Sequence, residues 1–365
     1  MSNLRFVFVI PLGAGHYERL EETFRSLAVQ KADLAIALCH TGVREDVEHI
    51  IAPFRRLIAY ERHGPDAGQS SAINEGWRAV AGDIYGWLNA DDVLAPSALT
   101  EVLRVFEEQP AAAAVCGQSI IVDRAGSLTG LHPSVKSPDG DLYRSNIISQ
   151  PSCFVRRQWL EQVGHLEEDL HYAMDWDLWV RLSIVGAQFA YTPRVLSGVY
   201  WDVDTKTGAF NFRRVSELKR VVARQKDPIV TAKTLFGFAV HHISEYTPLG
   251  GLLKALRVGL RTGRPMRLRF WGGVAGGGCE CFDVFHYDTQ PRDGLVVRFL
   301  TDGKRTVRIN GVSHEVVGRQ HMFDVNVAPG VPVTIEFAGG SALNSELDRI
   351  DWKCPDDSSF ESEPA

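Results

Sequence analysis

Two adjacent carboxylates directly follow an apolar run in the N-terminal third of the chain. Asp91-Asp92 comes after Trp87-Leu88-Asn89-Ala90, so a buried strand would deliver the pair into a loop at its carboxyl end. Acidic residues in that position most often cap a helix or shape a turn. Carboxylate oxygens are also the ligands that hard divalent cations prefer. Taken alone, the pair leaves a structural role and a metal-binding role open.

A glycine-containing segment precedes that pair. In Asp66-Ala67-Gly68-Gln69-Ser70, Gly68 permits a ligand to approach the backbone closely. The helix that follows presents its N-terminus, which attracts anions. The plainer alternative is that the turn Gly64-Pro65-Asp66 only caps this helix.

A third acidic site lies in Met174-Asp-Trp-Asp-Leu-Trp-Val-Arg-Leu182. Asp175 shares one helical face with Leu178 and Leu182 through three- and four-residue spacing. Two acids among two tryptophans, near the start of a helix, favour a partly dry carboxylate that is suited to proton abstraction. The alternative is that the acids complement the dipole at the helix N-terminus.

Alternating strand and helix patterns must position these acids. Apolar runs predict strands at 5–10, 34–38, 57–61, 84–88 and 111–116. Helical periodicity predicts helices at 17–30, 45–54, 70–80 and 97–106. Such alternation is typical of an α/β fold with an open, mostly parallel, Rossmann-like sheet and crossover helices. Ligands bind beyond the carboxyl ends of the strands in such sheets, which is where the acids are expected.

The rest of the chain changes character twice. Residues 208–262 have a helical pattern, and from residue 266 onward short β-rich runs recur at intervals of about 8–12 residues. Asp302-Gly303 and Asn310-Gly311 predict hairpin turns, so an all-β sandwich is expected. The predicted division is an α/β domain at 1–210, a helical connector at 211–262, a β-sandwich accessory domain at 263–354 and an acidic disordered tail at 355–365.

Composition describes an ordinary globular protein. Of 365 residues, 45% are hydrophobic and 23% charged, and the net charge of -6 gives no reason to expect nucleic acid binding. No run approaches the roughly 20 apolar residues of a membrane span, and no signal-peptide cleavage site follows the first apolar run. The six cysteines are scattered, and the C-x-C at Cys279 and Cys281 is poor zinc spacing. Reduced thiols in a cytoplasmic protein are predicted.

Taken in order, the motifs resemble those of the family 2 glycosyltransferases of bacterial surface-polysaccharide synthesis, which are inverting enzymes with the GT-A fold. The resemblance covers about residues 4–210, and the ordered set is much more specific than any single motif. The motifs that carry it are Asp66-x-Gly-x-x-x-Ala72-x-Asn74-x-Gly76, Leu88-Asn-Ala-Asp-Asp92, Gln150-Pro-Ser152 and Met174-Asp-Trp-Asp-Leu-Trp-Val-Arg181.

The resemblance implies a nucleoside diphosphate sugar as donor and a divalent metal, Mn²⁺ or Mg²⁺. It assigns Asp92 to the metal and Asp91 to the ribose or sugar of the donor, while Pro11 abuts the base. The positions that it assigns to donor binding are Pro11, Asp66, Gly68, Asn74 and Asp91.

The resemblance also implies that Asp175 is the general base, supported by Asp177 and Arg181, and that Gln150-Pro151-Ser152 lies beside the acceptor pocket. The chemistry agrees, because the diphosphate leaving group gains negative charge that a divalent cation stabilises, and the acceptor hydroxyl is a weak nucleophile that needs a base. A single in-line displacement then inverts the anomeric centre. The implied acceptor is a hydroxyl of a glycan or of a lipid-linked glycan.

Three positions depart from the family pattern. Leu12-Gly13-Ala14 follows the first strand where relatives have Thr and an aromatic residue. Cys39-His40-Thr41 stands where an acid usually reads the base, so the nucleotide is not predicted. Asp202 stands where a histidine commonly completes the metal site. Since a carboxylate serves a hard cation equally well, Asp202 is predicted as a second metal ligand.

Two other functions compete with sugar transfer. A sugar nucleotidyltransferase predicts a Gly-rich, basic loop after the first strand, and residues 12–17 contain no Lys or Arg. A non-catalytic carbohydrate-binding protein on the same fold predicts the loss of Asp92 or Asp175, and both are present. The sequence therefore favours a hexosyltransferase.

Two segments bear on further partners. Residues 250–270 carry Lys and Arg but no acid, and a basic amphipathic helix there would make peripheral contact with the inner face of an anionic membrane. A helix packed between the domains, with a solvated basic face, is the favoured alternative. Aromatic residues of the C-terminal domain are expected in its core. A homo-oligomer contact through that domain is an open alternative to glycan binding.

Overall fold

The computed structural model describes residues 4–132, 142–143, 145–200, 212–246, 281–289, 292–299, 302–338 and 347–353. The predicted metal ligand Asp202, the basic stretch 250–270 and the tail 355–365 lie outside these residues. No helix within the described ranges has the length and apolar character needed to cross a membrane.

Strands and helices alternate along the N-terminal half. The strands are β1 (Phe6–Leu12), β2 (Leu34–His40), β3 (Ile58–His63), β4 (Ile84–Trp87), β5 (Val93–Leu94), β6 (Ala114–Val122), β7 (Leu128–His132), β8 (Cys153–Arg156) and β9 (Phe189–Tyr200). The helices are α1 (Leu20–Ala28), α2 (Glu48–Ile51), α3 (Gln69–Ala79), α4 (Ala98–Glu108), α5 (Arg157–Val163) and α6 (Met174–Ile184). Further along the chain come α7 (Phe212–Ala223) and α8 (Pro228–Tyr246).

A parallel sheet positions the acids. Strands β3, β2, β1 and β4 lie side by side and run parallel. β2 and β4 are buried along their whole length, which explains their uninterrupted apolar runs. Parallel strands end at a common edge, where Leu12 pairs with His40 and His40 with His63. The expected α/β architecture is confirmed, although the sheet becomes mixed beyond β4, since β8 and β7 run antiparallel.

The C-terminal region is antiparallel, as expected. Its strands are β10 (Cys281–Val284), β11 (Arg292–Phe299), β12 (Lys304–Ile309), β13 (Val312–Val317), β14 (Gln320–Val327), β15 (Val333–Ala338) and β16 (Leu347–Lys353). One sheet has the order β10-β15-β12-β13, and the strands β14-β11-β16 extend the main sheet through a pairing of Ile350 with Leu128. The Tyr287 hydroxyl donates to the Leu94 carbonyl over 2.8 Å. The C-terminal region therefore packs on the α/β part.

Two local expectations are wrong. The predicted helix at 45–54 is divided into a 3-10 turn, the short α2 and a second 3-10 turn that has Pro53 near its start, because proline lacks the N–H that a continuous helix needs. Asp302-Gly303 closes no hairpin, because β11 and β12 each pair with two other strands in different sheets. Asn310-Gly311 does join β12 to β13, and both residues have the positive φ that such a turn requires.

Candidate active site

The loop after β4 carries the predicted metal-binding pair. Asp92 is buried, with 2% of its surface exposed, whereas Asp91 is half-buried. Asn89 donates from Nδ2 to Oδ2 of Asp92 over 2.8 Å, and its Oδ1 accepts from Gln69 over 2.7 Å. Burial raises the pKa of Asp92 well above its ordinary value and the charge of Asp91 raises it further, while the Asn89 hydrogen bond lowers it. The loop thus concentrates negative charge in a largely dry place.

Metal binding fits the chemistry of this loop. Two adjacent carboxylates supply hard oxygen ligands, and a divalent cation would offset the repulsion that raises the pKa of Asp92. The backbone N–H of Tyr200, at the end of β9, donates to the Asp92 carboxylate. Asp202 comes two positions later, outside the described residues, so its role as a ligand stays a prediction. Within the described ranges, no three His, Cys, Asp or Glu side chains lie close enough together to bind one metal ion.

Asp66 is held in a fixed orientation before α3. Its Oδ2 accepts from Arg62 over 3.0 Å and its Oδ1 accepts from the backbone N–H of Gly68 over 2.9 Å. Arg62 also binds Glu75 and the His40 carbonyl, so it ties the ends of β2 and β3 to α3. Gly68 has a φ of 121°, which a residue with a side chain rarely adopts, directly before the first residue of α3. This backbone leaves the helix N-terminus approachable.

Asn74 and Pro11 occupy different positions relative to the strand edge. Asn74 is buried, and its Nδ2 donates to the Leu166 carbonyl and to Glu168 while its Oδ1 accepts from the Leu166 N–H. Both amide hydrogens are therefore engaged within the protein, so Asn74 supports the site by holding the chain near 166. Pro11 lies at the carboxyl end of β1, opposite Cys39, at the edge where the donor was expected.

Asp175 lies in the first turn of α6. It is half-buried, and its Oδ2 accepts from Nδ2 of Asn146 over 2.7 Å. Burial raises the pKa of Asp175, and hydrogen bonds from the Trp176 N–H and from Asn146 lower it. A carboxylate with a raised pKa accepts a proton more readily than an ordinary one, which suits a general base. Asn146 has no motif of its own, and sequence reasoning missed it.

The first turn of α3 contacts both the acidic loop and α6, the helix that carries Asp175. Gln69 donates to Asn89 in the acidic loop, and the next residue, Ser70, contacts the start of α6. The Ser70 hydroxyl lies 3.0 Å from the Leu170 carbonyl and 2.9 Å from the Met174 sulfur at the start of α6. The structure therefore brings the sites around Asp66, Asp92 and Asp175 to one region at the strand edge.

Comparison with known proteins shows which family and fold this chain is similar to. Residues 8–164 match the family described as Glycosyl transferase family 2. The match covers less than half of the chain and ends before Asp175. The O-antigen biosynthesis protein RfbC of Myxococcus xanthus is 40% identical over 114 residues, which are 31% of this chain and 9% of that protein. An uncharacterised glycosyltransferase of Rickettsia typhi is 23% identical over 212 residues, 56% of this chain and 66% of its own. The chain spans less than two thirds of either relative.

A solved structure has the same fold. S. aureus TarS 1-349 in complex with UDP-GlcNAc aligns with a TM-score of 0.51 and 13% identity, over 71% of this chain and 76% of that chain. This level of identity supports a shared fold and nothing finer. The glycosyltransferase domain therefore has the GT-A architecture that the sequence motifs implied.

Two histidines contact each other at the ends of β2 and β3. His40 Nε2 lies 2.9 Å from the Tyr17 hydroxyl, and His40 Nδ1 lies 3.0 Å from Nδ1 of His63. His63 Nε2 in turn lies 2.6 Å from a Glu61 oxygen. Burial and the neighbouring His63 lower the pKa of His40. Two histidines at the ends of neighbouring parallel strands were the available signal, and it was overlooked.

The Gln150-Pro151-Ser152 segment of the glycosyltransferase domain packs behind the acidic loop. Gln150 donates to the Trp87 carbonyl at the end of β4 over 2.7 Å. The buried Ser152 hydroxyl lies 2.8 Å from that of Ser119 and 2.7 Å from that of Ser197. These contacts fix the segment against β4, β6 and β9. Its predicted place beside the acceptor pocket stays a prediction.

Asp177 forms a buried ion pair within α6. Its side chain is fully buried, and its carboxylate accepts from Arg181 over 2.7 Å and from Arg224 over 2.5 Å. Arg181 also donates to the Val163 carbonyl over 2.7 Å. The pair therefore joins α6 to the end of α5 and to Arg224, the residue that follows α7. The supporting role implied for Asp177 and Arg181 stays a prediction.

Replacing Asp177 by Ala is expected to lower the free energy of unfolding of the glycosyltransferase by about 3–5 kcal/mol, because two arginines lose their buried partner. Urea unfolding measures the change. Asp33→Ala is the matched control, since Asp33 forms an exposed ion pair with Arg5 and its loss should cost under about 1 kcal/mol. Equal losses in the two variants would contradict the assignment.

Proposed function

We propose that the protein transfers a sugar from a nucleoside diphosphate donor to a hydroxyl of a glycan or lipid-linked glycan, with inversion at the anomeric carbon. The observation that carries the proposal is that the first turn of α3 contacts both Asn89, whose amide donates to Asp92, and Met174, which directly precedes Asp175. Both carboxylates have a raised pKa; Asp92 lies within the residues that match the family 2 glycosyltransferases, and Asp175 follows 11 residues after that match ends at residue 164.

Asp175 would act on the acceptor. A sugar hydroxyl becomes an adequate nucleophile only as it loses its proton, and Asp175 accepts that proton while the new bond to the anomeric carbon forms. The bond from that carbon to the diphosphate breaks in the same displacement, which inverts the configuration. No covalent bond between enzyme and sugar is needed.

Asp91, Asp92 and the α3 N-terminus would act on the donor. A divalent cation, Mn²⁺ or Mg²⁺, stabilises the charge that develops on the departing diphosphate when it is bound. Asp92 and Asp202 would hold this cation, and Asp91 would orient the ribose or sugar. Asp66 and Gly68 would border the nucleotide, because the N–H groups at the start of α3 favour an anionic ligand.

The names of similar proteins guide the choice of substrates. RfbC is named for O-antigen biosynthesis, and TarS was solved with UDP-GlcNAc. We therefore place UDP-sugars first among donors and surface-polysaccharide intermediates first among acceptors. We place the enzyme in the cytoplasm. We also propose that its domains end at residues 210, 262 and 354, and that the C-terminal region is an accessory domain.

A donor screen tests the proposed function. UDP-, GDP- and dTDP-sugars are offered with Mn²⁺ or Mg²⁺ to the wild type, Asp92→Ala and Asp175→Asn. Asp83→Asn is the control, because exposed Asp83 precedes β4 at the end opposite to the acidic loop. We expect wild type and control to release nucleotide at equal rates and the two site variants to be nearly inactive. No turnover of any donor, or site variants as active as the control, would refute the proposal.

A further inference from the structure

The carboxylate of Glu217, which lies outside the recognised motifs, accepts hydrogen bonds from the turn that leads into α6, the helix that carries Asp175. Glu217 of α7 is buried, with 5% of its surface exposed. Its oxygens accept from the backbone N–H groups of His171 over 3.0 Å, Tyr172 over 2.7 Å and Ala173 over 3.2 Å. These residues immediately precede Met174, the first residue of α6. Ala173 is the N-cap residue of α6 and has no side chain that could accept a hydrogen bond. Glu217 therefore binds the backbone of the turn that leads into α6, up to and including the N-cap N–H.

Two arginines at the C-terminal end of α7 extend this contact. Arg220 lies three residues after Glu217 in α7, on the same side of the helix, and Arg224 is the first residue after α7. Arg224 donates to Asp177 over 2.5 Å and to Glu167 over 3.2 Å. Arg220 pairs with Glu167 over 3.1 Å and also with Asp169. We name Glu217, Arg220 and Arg224 the α7 clamp, since their side chains bind residues between 167 and 177, before and after the first residue of α6.

The turn at residues 171–173, which the α7 clamp binds, lies close to both Asp175 and the donor side of the site at Gly68. Asp175 comes two residues after Ala173, and the clamp partner Asp177 comes two residues later still. On the other side, a β-carbon built on Gly68 would lie 3.4 Å from Cε1 of His171. The turn from 171 to 173 therefore lies between the base Asp175 and the backbone next to Asp66. Any shift of this turn changes the distance between the base and the donor side of the site.

We propose that Glu217 and Arg224 are positioning residues for Asp175, which makes α7 a required part of the catalytic unit although it lies outside residues 8–164. The inference rests on the proposed function, because Asp175 must act as the base. A misplacement of about 1 Å at a reacting group costs on the order of a hundredfold in rate. A clamp of three backbone hydrogen bonds and a buried ion pair restrains displacements of that size.

Glu217→Gln tests the clamp, with Glu217→Asp as the conservative variant and Lys219→Gln as the control. A neutral amide cannot accept three N–H groups as a carboxylate does, because half of its polar end is a donor. Lys219 is exposed on the same helix, and Lys219→Gln removes one unit charge, as Glu217→Gln does, although of the opposite sign. Hydrogen–deuterium exchange at residues 171–173 reports the clamp directly, and kcat and donor KM report its effect on transfer.

We expect exchange at residues 171–173 to become at least about tenfold faster in Glu217→Gln, because the amides lose their acceptor. We also expect kcat to fall by about 10–100-fold while donor KM changes less than about twofold. Glu217→Asp should recover part of both losses, since it keeps the charge on a shorter side chain. Lys219→Gln should match the wild type in both measurements.

Unchanged exchange at 171–173 would overturn the inference, and so would a kcat that stays at the wild-type value. A fall in kcat that is matched by the loss of folded, donor-binding protein would also overturn it, because it would reflect stability alone. Arg224→Gln removes the second contact and repeats the test if Glu217→Gln does not fold. Absence of turnover in the wild type would instead refute the proposed function, and exchange would still decide whether Glu217 holds the turn.

Discussion

Asp175→Asn is expected to lower kcat by about 10²–10⁴-fold, the range that a general base contributes. Asparagine has nearly the same shape and still accepts the hydrogen bond from Asn146, but it cannot take a proton from the acceptor hydroxyl. Donor affinity should stay within about twofold, because the base contacts the acceptor. Steady-state transfer and calorimetric donor binding measure the two quantities. A variant that keeps its kcat, or one that loses donor binding instead, would contradict the assignment.

The pH dependence of kcat follows from the environment of Asp175. Burial raises its pKa, so the residue becomes protonated, and kcat falls, at a pH above the ordinary carboxyl value of about 3.9. The hydrogen bond from Asn146 favours the charged form, so Asn146→Ala should shift this acid limb to higher pH. An acid limb that stays in place in Asn146→Ala, or persists in the residual activity of Asp175→Asn, would assign the limb to another group.

The sequence predicted those parts of the site that depend on residues close together along the chain. Asp91-Asp92 lies in the loop that follows β4, and Asp175 lies in α6, whose apolar spacing is visible within a single helix. A parallel sheet then brings strand ends to one edge without further information. For this reason the strand edge and the acids along it were predictable, whereas the pairing of β16 with β7 was not. That pairing depends on a register between strands that are far apart in sequence.

The missed residues act through contacts that the chain forms only after folding. Glu217 caps a turn 46 residues earlier, and Asn146 reaches Asp175 across 29 residues. His40 and His63 meet because β2 and β3 are neighbours in register. None of these side chains belongs to a periodic pattern or a short motif from which its contact could be predicted. Asn74 shows the converse, since its place in a recognised motif suggested the donor while its amide binds the chain near residue 166.

Asp92→Asn is expected to remove activity and to raise stability in the same variant. Without the carboxylate, metal assistance should be lost and kcat should fall by about a hundredfold or more. The folded protein, however, no longer buries a charge beside Asp91. The pKa of Asp92 is raised on folding, so above the unfolded-state value of about 3.9 the unfolded chain holds the charge more readily, and the native state is penalised. A neutral amide at this position abolishes that penalty.

The expected gain in Tm at pH 7 is about 2–4 °C for each kcal/mol recovered, and it should disappear as the pH falls below the unfolded-state pKa of about 3.9, where Asp92 becomes protonated in both states. Mn²⁺ together with UDP should raise the Tm of the wild type but not of the variant, because a ligand stabilises only a native state that binds it. Asp83→Asn, an exposed change at the other end of β4, should shift Tm little and should respond to the ligands as the wild type does. If Asp92→Asn is no more stable than this control at pH 7, Asp92 is not a charge that destabilises the native state. If the variant retains the stabilisation by metal and nucleotide, Asp92 is not the metal ligand. If both results are found, the acidic loop has only the structural role that such pairs usually have.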